Sequence, residues 1–384
     1  AKKAVKKKSA KKKSVKKSVK KSGKKKVAKK VAKKVAKKSA KKVAKKKAAK
    51  KAAKKSAPGL KVGDVASIVR DNARKQPNAV SLVLGDRTLT WAQLLSRSAQ
   101  VAQGLRRAGV KPQDRVAFLD KNGIEHFEVF YGCALLNAVS VDVNWRLAAP
   151  EVAYIVNDSE AEVLIVGQEF VAILDAIVND LANVKTIIVI GGHPSHNDYE
   201  RWVSAQSAVD PKVPTKPSDI AFQLYSSGTT GRPKGVRLQF ARSPLGTPNA
   251  LTGLGQFLFS FNEDTIYLSP APLYHAAPLR WNMSVHRTGG TSVVMNHFDA
   301  EDFLRCIERY NVTHTQTVPT MFVRMLKLAP EIRSKYGVST LSCVFHAAAP
   351  CPVEVKRQMI NWFGPVIHEY YAGSEGNGFV YCNT

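Results

Sequence analysis

A short stretch of small, flexible and polar residues is the first candidate for chemistry in this sequence. Positions 225–235 read YSSGTTGRPKG, with four Ser or Thr hydroxyls, three glycines, one proline and one lysine. Glycines let the backbone turn tightly and bring its N–H groups close to an anion. The hydroxyls can contact phosphate oxygens or Mg²⁺, and Lys234 adds a positive charge. The pattern predicts a phosphate-binding loop.

The order of residues in this loop differs from that of the Walker A motif. Walker A has a lysine followed by Ser or Thr directly after its second glycine, whereas Gly231 is followed by Arg-Pro-Lys-Gly. An ordinary flexible Ser/Gly turn is the alternative interpretation. The length of the complete string, eleven residues, favours the phosphate loop.

The elements that must position this loop alternate between strand and helix. The apolar run AFQLY directly precedes it, and similar short runs such as RVAFL and EVLIVG recur between 58 and 384, separated by amphipathic segments. Thr90 with Gln93 suits a capping box, and the helix that follows should stop near Gly109. The alternation predicts an α/β fold with mostly parallel strands buried on both faces. A proline-rich linker, 211–219, lies just upstream of the loop.

The positive charge of the chain is concentrated at its beginning. The 384 residues carry a formal net charge of +31, and residues 1–57 contain 30 lysines and no Asp, Glu or Arg. The remaining 30 basic and 29 acidic residues nearly cancel over 58–384. We therefore expect two segments: a Lys/Ala-rich, low-complexity basic tail over 1–57, disordered or weakly helical, and a folded domain over 58–384.

The tail repeats VAKK-like units and resembles the tails of linker histones and bacterial histone-like proteins. That resemblance implies sequence-independent binding to nucleic acid or another polyanion through counterion release. A solubilising appendage without a specific partner is the alternative. The five cysteines have no CxxC spacing, which indicates reduced thiols and a cytoplasmic protein. No stretch is apolar enough to be a membrane span.

Six segments of the sequence together resemble the adenylate-forming (AMP-binding) enzymes, fatty-acyl-CoA synthetases among them. The resemblance covers about 60–380, and its segments occur in the order of that family. It implies the large N-terminal domain of the adenylate-forming fold. The segments are LTWAQLLSRSAQVAQGL, NWRLAAPEV, YSSGTTGRPKG, APLYHAA (271–277), FHAAAPCPVEV (345–355) and EYYAGSEG (369–376).

The family resemblance implies an ATP-dependent reaction in two steps. A carboxylic acid, expected to be a fatty acid, attacks the α-phosphorus of ATP to give an acyl-adenylate. A thiol, usually that of CoA, then takes the acyl group. Carried over residue by residue, the loop would cradle the β- and γ-phosphates, Thr229 and Glu375 would hold Mg²⁺, and His275 would lie at the acyl site. The catalytic set is His275, Lys234 and Glu375. The nucleotide-binding set is Ser226, Ser227, Gly228, Thr229, Thr230, Gly231, Lys234, Ala348, Ala349, Tyr371 and Ser374. By the same resemblance, FHAAAPCPVEV is the adenine segment, in which Ala348 and Ala349 would line the base. Tyr371 would stack near adenine, and Ser374 would lie near the α-phosphate.

Three departures from the family pattern qualify this expectation. RLQFARSP replaces the Ser-His that usually follows the loop, and Ala347 replaces a glycine of the adenine segment. The sequence ends at Thr384, nine residues past Glu375, so we expect the small C-terminal domain with its catalytic lysine to be absent and full activity to be impaired. The alternatives are a nucleic-acid-binding protein with a vestigial synthetase domain, and a nonfunctional fragment.

Overall fold

The computed structural model describes residues 64–216, 218–226, 233–238, 250–373 and 378–384. The predicted basic tail, positions 227–232 of the phosphate loop and positions 374–377 lie outside these described residues.

The first sheet joins strands from the beginning and the end of the described chain. Its order is β15-β14-β13-β12-β10-β11-β1-β2. The inner pairs are parallel, while β1 with β2 and β14 with β15 pair antiparallel at the two ends. The strands are β1 (Val80–Leu84), β2 (Arg87–Thr90), β10 (Ile266–Ser269), β11 (Thr291–Val294), β12 (His314–Thr317), β13 (Cys343–His346), β14 (Ile367–Ala372) and β15 (Phe379–Cys382).

The second sheet carries the strand that leads into the phosphate loop. Its order is β7-β6-β5-β3-β4-β8-β9, with every neighbouring pair parallel except β8 with β9. The strands are β3 (Arg115–Leu119), β4 (Val139–Asp142), β5 (Ala161–Gly167), β6 (Thr186–Ile190), β7 (Asn197–Asp198), β8 (Phe222–Ser226) and β9 (Lys234–Leu238).

Helices connect the strands, as the alternating pattern predicted. They are α1 (Val65–Lys75), α2 (Trp91–Arg107), α3 (Ile124–Leu136), α4 (Ala149–Asp158), α5 (Val171–Ile177), α6 (Tyr199–Ser204), α7 (Ala250–Phe259), α8 (Ala276–Thr288), α9 (Ala300–Tyr310), α10 (Pro319–Leu326), α11 (Pro330–Lys335) and α12 (Val353–Phe363). Short 3₁₀ turns occupy Gln168–Phe170 and Val178–Asp180.

The ends of α2 follow the sequence signals. Thr90 and Gln93 form the predicted capping box, in which each side chain bonds the backbone of the other residue. The helix ends at Arg107, and Gly109 has φ +95° in the turn that follows. Its apolar stripe, including Leu94, Val101 and Leu105, is buried. Local sequence chemistry therefore fixes this helix at both ends.

The central strands are buried on both faces. All four residues of β4, β12 and β13 are buried, which is typical of parallel strands covered by helices on each side. The predicted α/β architecture is confirmed.

Candidate functional site

A cavity of about 870 Å³ lies where parallel strands of both sheets end. Its wall includes residues that follow the carboxyl ends of β3, β4, β10, β11, β12, β13 and β14, together with residues of the helices α7, α8 and α10. Ligands of α/β proteins commonly bind at this end of the strands. The topology therefore marks the cavity as the candidate active site.

Asn122 joins the two sheets at this cavity. It follows β3 and is buried, and its amide donates to the carbonyl oxygens of Ala271 (2.9 Å) and Met295 (3.0 Å). Its side-chain oxygen accepts from the N–H of Leu273 at 2.9 Å. The loop 270–275, which follows β10 of the other sheet, is thus held by one side chain of the β3 loop.

A second contact to the same loop comes from the segment after β4. Arg146 donates to the Tyr274 hydroxyl at 2.9 Å, and its guanidinium lies over the Trp145 ring at 4.4 Å. Trp145 also makes an edge contact with Tyr274, at 6.4 Å between ring centroids. Both Trp145 and Arg146 line the cavity. The loop that precedes His275 is therefore fixed from two elements of the second sheet.

His275 is the N-cap residue of α8 and lines the cavity. Its ring lies 4.4 Å from that of Tyr274, centroid to centroid. Burial against the cavity wall, and then the positive charge of Arg146, lower the pKa of His275. A neutral imidazole at neutral pH can contact an apolar acyl group without the penalty of a buried charge. The position of His275 beside an acyl group stays a prediction.

The predicted adenine segment begins in the cavity wall and leaves it at the surface. Ala347 and Ala348 line the cavity, whereas Ala349 is exposed. Ala348 has φ +74°, in the left-handed region that favours glycine. Tyr371, predicted to stack near adenine, lies on β14 with 80% of its surface exposed. Its strand neighbours Tyr370 and Ala372 line the cavity whereas Tyr371 does not, so its place near adenine stays a prediction.

The described ends of the phosphate loop are held together by strand pairing. Ser226 and Lys234 are direct partners in the antiparallel pair of β8 and β9. Because β8 runs parallel to β4, the loop leaves β8 at the same edge of the sheet that bears the cavity. A Cβ at Gly235 would lie 2.8 Å from Nε2 of Gln223, so a side chain at this position would displace the end of the Gln223 side chain.

Several of the predicted site residues lie outside the described part of the chain. They are Ser227, Gly228, Thr229, Thr230, Gly231, Ser374 and Glu375. Both expected Mg²⁺ ligands belong to this set. Within the described ranges, no group of three or more His, Cys, Asp or Glu side chains could hold a metal ion.

Comparison with known proteins agrees with the site's topology. A family profile described as "AMP-binding enzyme" matches residues 69–384. The chain belongs to the AMP-binding enzyme family.

Curated relatives of this AMP-binding chain act on different acids. This chain is 33% identical over 280 residues to a fatty acid–[acyl-carrier-protein] ligase from Streptomyces coeruleorubidus. The match covers 73% of this chain and 52% of the relative. A feruloyl-CoA synthase from an Amycolatopsis species is 32% identical over 75% of this chain and 55% of its own length. The chain thus spans about half the length of the curated relatives that it matches.

Among solved structures, the N-terminal domain of FACL13 from Mycobacterium tuberculosis has a TM-score of 0.72 at 25% identity. The match covers 83% of this chain and 79% of that domain. In the part of the AMP-binding chain that is described, no helix is long and apolar enough to cross a membrane.

Sequence reasoning assigned no role to the residues that hold the cavity in shape. Asn122 and Arg146 each follow a strand, a position that often bears ligand-binding residues. Arg146 also lies in the segment NWRLAAPEV, which the family resemblance brought out without giving this side chain a role. The partners of Asn122 and Arg146 lie 149 and 128 positions further along the chain. Trp281, Gln316 and Tyr370 also line the cavity. Tyr370 lies in the segment EYYAGSEG, whereas Trp281 and Gln316 lie outside all six motif segments.

Proposed function

We propose that this chain activates a carboxylic acid with ATP, forming an acyl-adenylate and pyrophosphate, and so prepares the acyl group for transfer to a thiol such as that of CoA. The observation that supports this most is one cavity at the ends of both sheets, lined by His275 as well as Ala347 and Ala348. The predicted acyl-site residue and the predicted adenine segment are thereby brought together, and the loop bounded by Ser226 and Lys234 starts at the same edge.

The roles follow from the chemistry of phosphoryl displacement. Such a reaction leaves little covalent work for the protein, so positioning and charge neutralisation dominate. Ser226, Lys234 and the loop between them would contact the β- and γ-phosphates, and Thr229 and Glu375 would supply hard oxygen ligands for Mg²⁺. On the base and α-phosphate side, we assign Tyr371, Ala348, Ala349 and Ser374.

His275 and the loop that carries it would form the wall against the acyl carbonyl. The hydrogen bonds of Asn122 and Arg146 to that loop fix its distance from the second sheet. A fixed wall holds the carboxylate in line with the α-phosphorus, which is the main contribution a protein makes to this step. Neutral His275 would avoid competing with Lys234 for the negative charge of the nucleotide.

We extend the proposal to the acid and the cellular setting. A fatty acid is the expectation from the sequence motifs, and relatives named for fatty, ferulic and indoleacetic acids define the range. We propose that the domain over 58–384 acts in the cytoplasm. The 30 lysines of 1–57 favour nucleic-acid binding as a second, separate function.

Detection of an acyl-adenylate tests the proposed reaction. The full chain would be incubated with ATP, Mg²⁺ and a panel of aliphatic and aromatic acids, and acyl-AMP measured by mass spectrometry alongside released pyrophosphate. We expect adduct with a subset of the acids and a strong loss in Lys234→Ala. Lys335→Ala, which removes another exposed lysine, is the matched control. Absence of adduct with every acid, together with absence of ATP binding, contradicts the proposal.

A further inference from the structure

Three polar side chains form a chain of hydrogen bonds in the wall of the cavity. Trp281 of α8 donates from Nε1 to the Tyr370 hydroxyl of β14 at 2.9 Å. Gln316 of β12 donates from Nε2 to the same hydroxyl, also at 2.9 Å. All three residues line the cavity and are buried, with exposed fractions of 1%, 2% and 6% for Trp281, Gln316 and Tyr370.

Not every hydrogen-bonding group of these three side chains has a partner among the described residues. The Tyr370 hydroxyl accepts two hydrogen bonds, so its own proton remains to be donated. The side-chain oxygen of Gln316 is buried and has no partner among the described residues. Exchanging the amide oxygen and nitrogen of Gln316 would pair it with the Tyr370 proton but leave its NH₂ group unpaired instead. In either orientation the trio carries an unpaired buried polar group, which costs about 1–3 kcal/mol.

The trio is held rigidly by aromatic neighbours. The Phe379 ring stacks on Tyr370 at 5.0 Å and 9° between planes, and Trp281 meets Tyr370 at 5.8 Å and 73°. Burial raises the pKa of Tyr370 to about 12, against the opposing effects of Trp281 and Arg280. The hydroxyl therefore stays protonated and able to donate at neutral pH. A mobile side chain could rotate to find a hydrogen-bond partner, whereas aromatic packing restricts the rotation of Tyr370 and Trp281.

We propose that Tyr370 and Gln316 form a polar subsite for a hydroxyl group on the acyl part of the substrate. A substrate hydroxyl can accept a hydrogen bond from the proton of Tyr370, while Gln316, whose own oxygen is enclosed, holds the Tyr370 hydroxyl in place through its Nε2 donor. Phe379 and Met321 give the surrounding wall an apolar part that fits the carbon skeleton of the acid, and Arg280 and Thr320 also line the cavity. The substrate class is then a hydroxylated carboxylic acid, and this inference rests on the proposed acid-activating function.

The expected selectivity follows from what a hydrocarbon acid would leave unsatisfied. A site built to bond a hydroxyl rejects an analogue that lacks it, because the polar groups of the protein stay buried and unpaired. We expect a hydroxylated acid to bind at least about tenfold more tightly than the same acid without the hydroxyl.

Binding of matched acid pairs to the full chain tests the subsite. Dissociation constants would be measured by calorimetry in the presence of AMP for 3-phenylpropanoate and 3-(4-hydroxyphenyl)propanoate, and for octanoate and 8-hydroxyoctanoate. Tyr370→Phe and Gln316→Met keep the size of the side chain and remove the polar contact. Each variant is judged by the ratio of the two constants in a pair, because a loss of folded protein affects both acids equally.

Gln223→Met supplies the matched control. Gln223 is buried, donates to the hydroxyl of Tyr225 at 2.9 Å and has an unpaired side-chain oxygen, yet it belongs to β8 of the other sheet. We expect the tenfold preference of the wild type in at least one pair to persist in Gln223→Met and to fall to about onefold in Tyr370→Phe and Gln316→Met.

Two results overturn the subsite: equal binding of both members of each pair by the wild type, or a preference that persists in Tyr370→Phe. If the wild type binds both members of each pair equally but still converts the acids to acyl-AMP, the proposed function stands without the subsite. Selective binding that depends on Tyr370, but gives no acyl-AMP from any acid, supports the subsite and contradicts the proposed reaction. Failure of the wild type to bind any of the four acids counts against both.

Discussion

The side-chain amide of Asn122 donates to the carbonyl oxygen of Ala271 at 2.9 Å, across the boundary between the two sheets. The two residues are 149 positions apart, and each follows a strand that ends at the cavity. Two more hydrogen bonds of Asn122, to Met295 and Leu273, complete the contact. The shape of the candidate acyl site therefore depends on one buried amide.

Replacing Asn122 by alanine should loosen the loop that carries His275. Three buried backbone groups would lose their partner, so we expect the free energy of unfolding to fall by about 2–4 kcal/mol. The pKa of His275 should rise toward its ordinary value as the loop leaves the wall. Denaturant titration and NMR titration of the histidines, with His275→Gln for assignment, measure both. Asn72→Ala removes another buried amide, bonded to the His286 carbonyl, and should lower stability but leave the His275 titration unchanged. An unaltered His275 in Asn122→Ala would contradict the assigned role.

The strained backbone of the adenine segment gives a second prediction. Ala348 has φ +74°, a conformation that glycine adopts without steric penalty. Ala348→Gly should therefore raise the free energy of unfolding by up to about 1 kcal/mol. The neighbouring change Ala349→Gly, at a residue without a positive φ, should lower it by about 0.5–1 kcal/mol through the greater entropy of the unfolded chain. Thermal or urea unfolding of the two variants compares them directly. Equal changes in the free energy of unfolding would contradict the explanation by backbone strain at Ala348.

Much of the fold could be predicted from local sequence because its signals are local. Thr90 and Gln93 mark a helix start within four residues, and continuous apolar runs predict the strands β3, β5 and β8. The site is different. The contacts of Asn122, Arg146 and Tyr370 join residues between 54 and 173 positions apart, and no spacing rule connects them. Motif resemblance brought out His275 and Ala348, but it could not reveal what holds them.

Asp120 predicts a pH dependence of stability. It follows β3, and burial raises its pKa to about 6, with Glu125 and Glu169 adding to the rise and the backbone N–H of Lys121 opposing it. An ordinary aspartate has a pKa of about 3.9. Its favourable contribution is thus fully present below pH ~3.9 and is lost as the pH rises through about 6. After allowance for partial solvent screening, the loss is about 1–2 kcal/mol.

Asp120→Asn should remove this part of the pH dependence. Unfolding free energies of the variant and the wild type, measured from pH 4 to pH 8, should diverge as the pH rises, with the variant the more stable above about 6. Asp86→Asn, at a side chain that is 92% exposed, is the control and should follow the wild type. If the unfolding free energies of the wild type and Asp120→Asn changed in parallel with pH, the carboxyl group of Asp120 would have the same pKa in the folded and the unfolded chain.

The basic tail predicts sequence-independent binding of DNA. With 30 lysines and no acidic residue over 1–57, the logarithm of the affinity should fall with the logarithm of the salt concentration by about 0.9 per phosphate neutralised. Fluorescence anisotropy with two unrelated duplexes at several salt concentrations measures the slope. A protein consisting of 58–384 should bind much more weakly. A shallow slope, or equal binding by the shorter protein, would exclude the tail as the cause.

Titration of ATP and AMP against the wild-type chain and Lys234→Ala, with and without Mg²⁺, tests the central claim most directly. Lys234 is the strand partner of Ser226 at the mouth of the loop, and its proposed contact is to the β- and γ-phosphates. Loss of one charge-assisted contact is worth about 1.5–3 kcal/mol. We predict that Lys234→Ala weakens ATP by at least about tenfold and AMP by less than about twofold, while Glu375→Gln weakens only the Mg²⁺-dependent part. Equal weakening of both nucleotides, or no ATP binding by the wild type, would contradict the assignment of 225–235 as a phosphate loop.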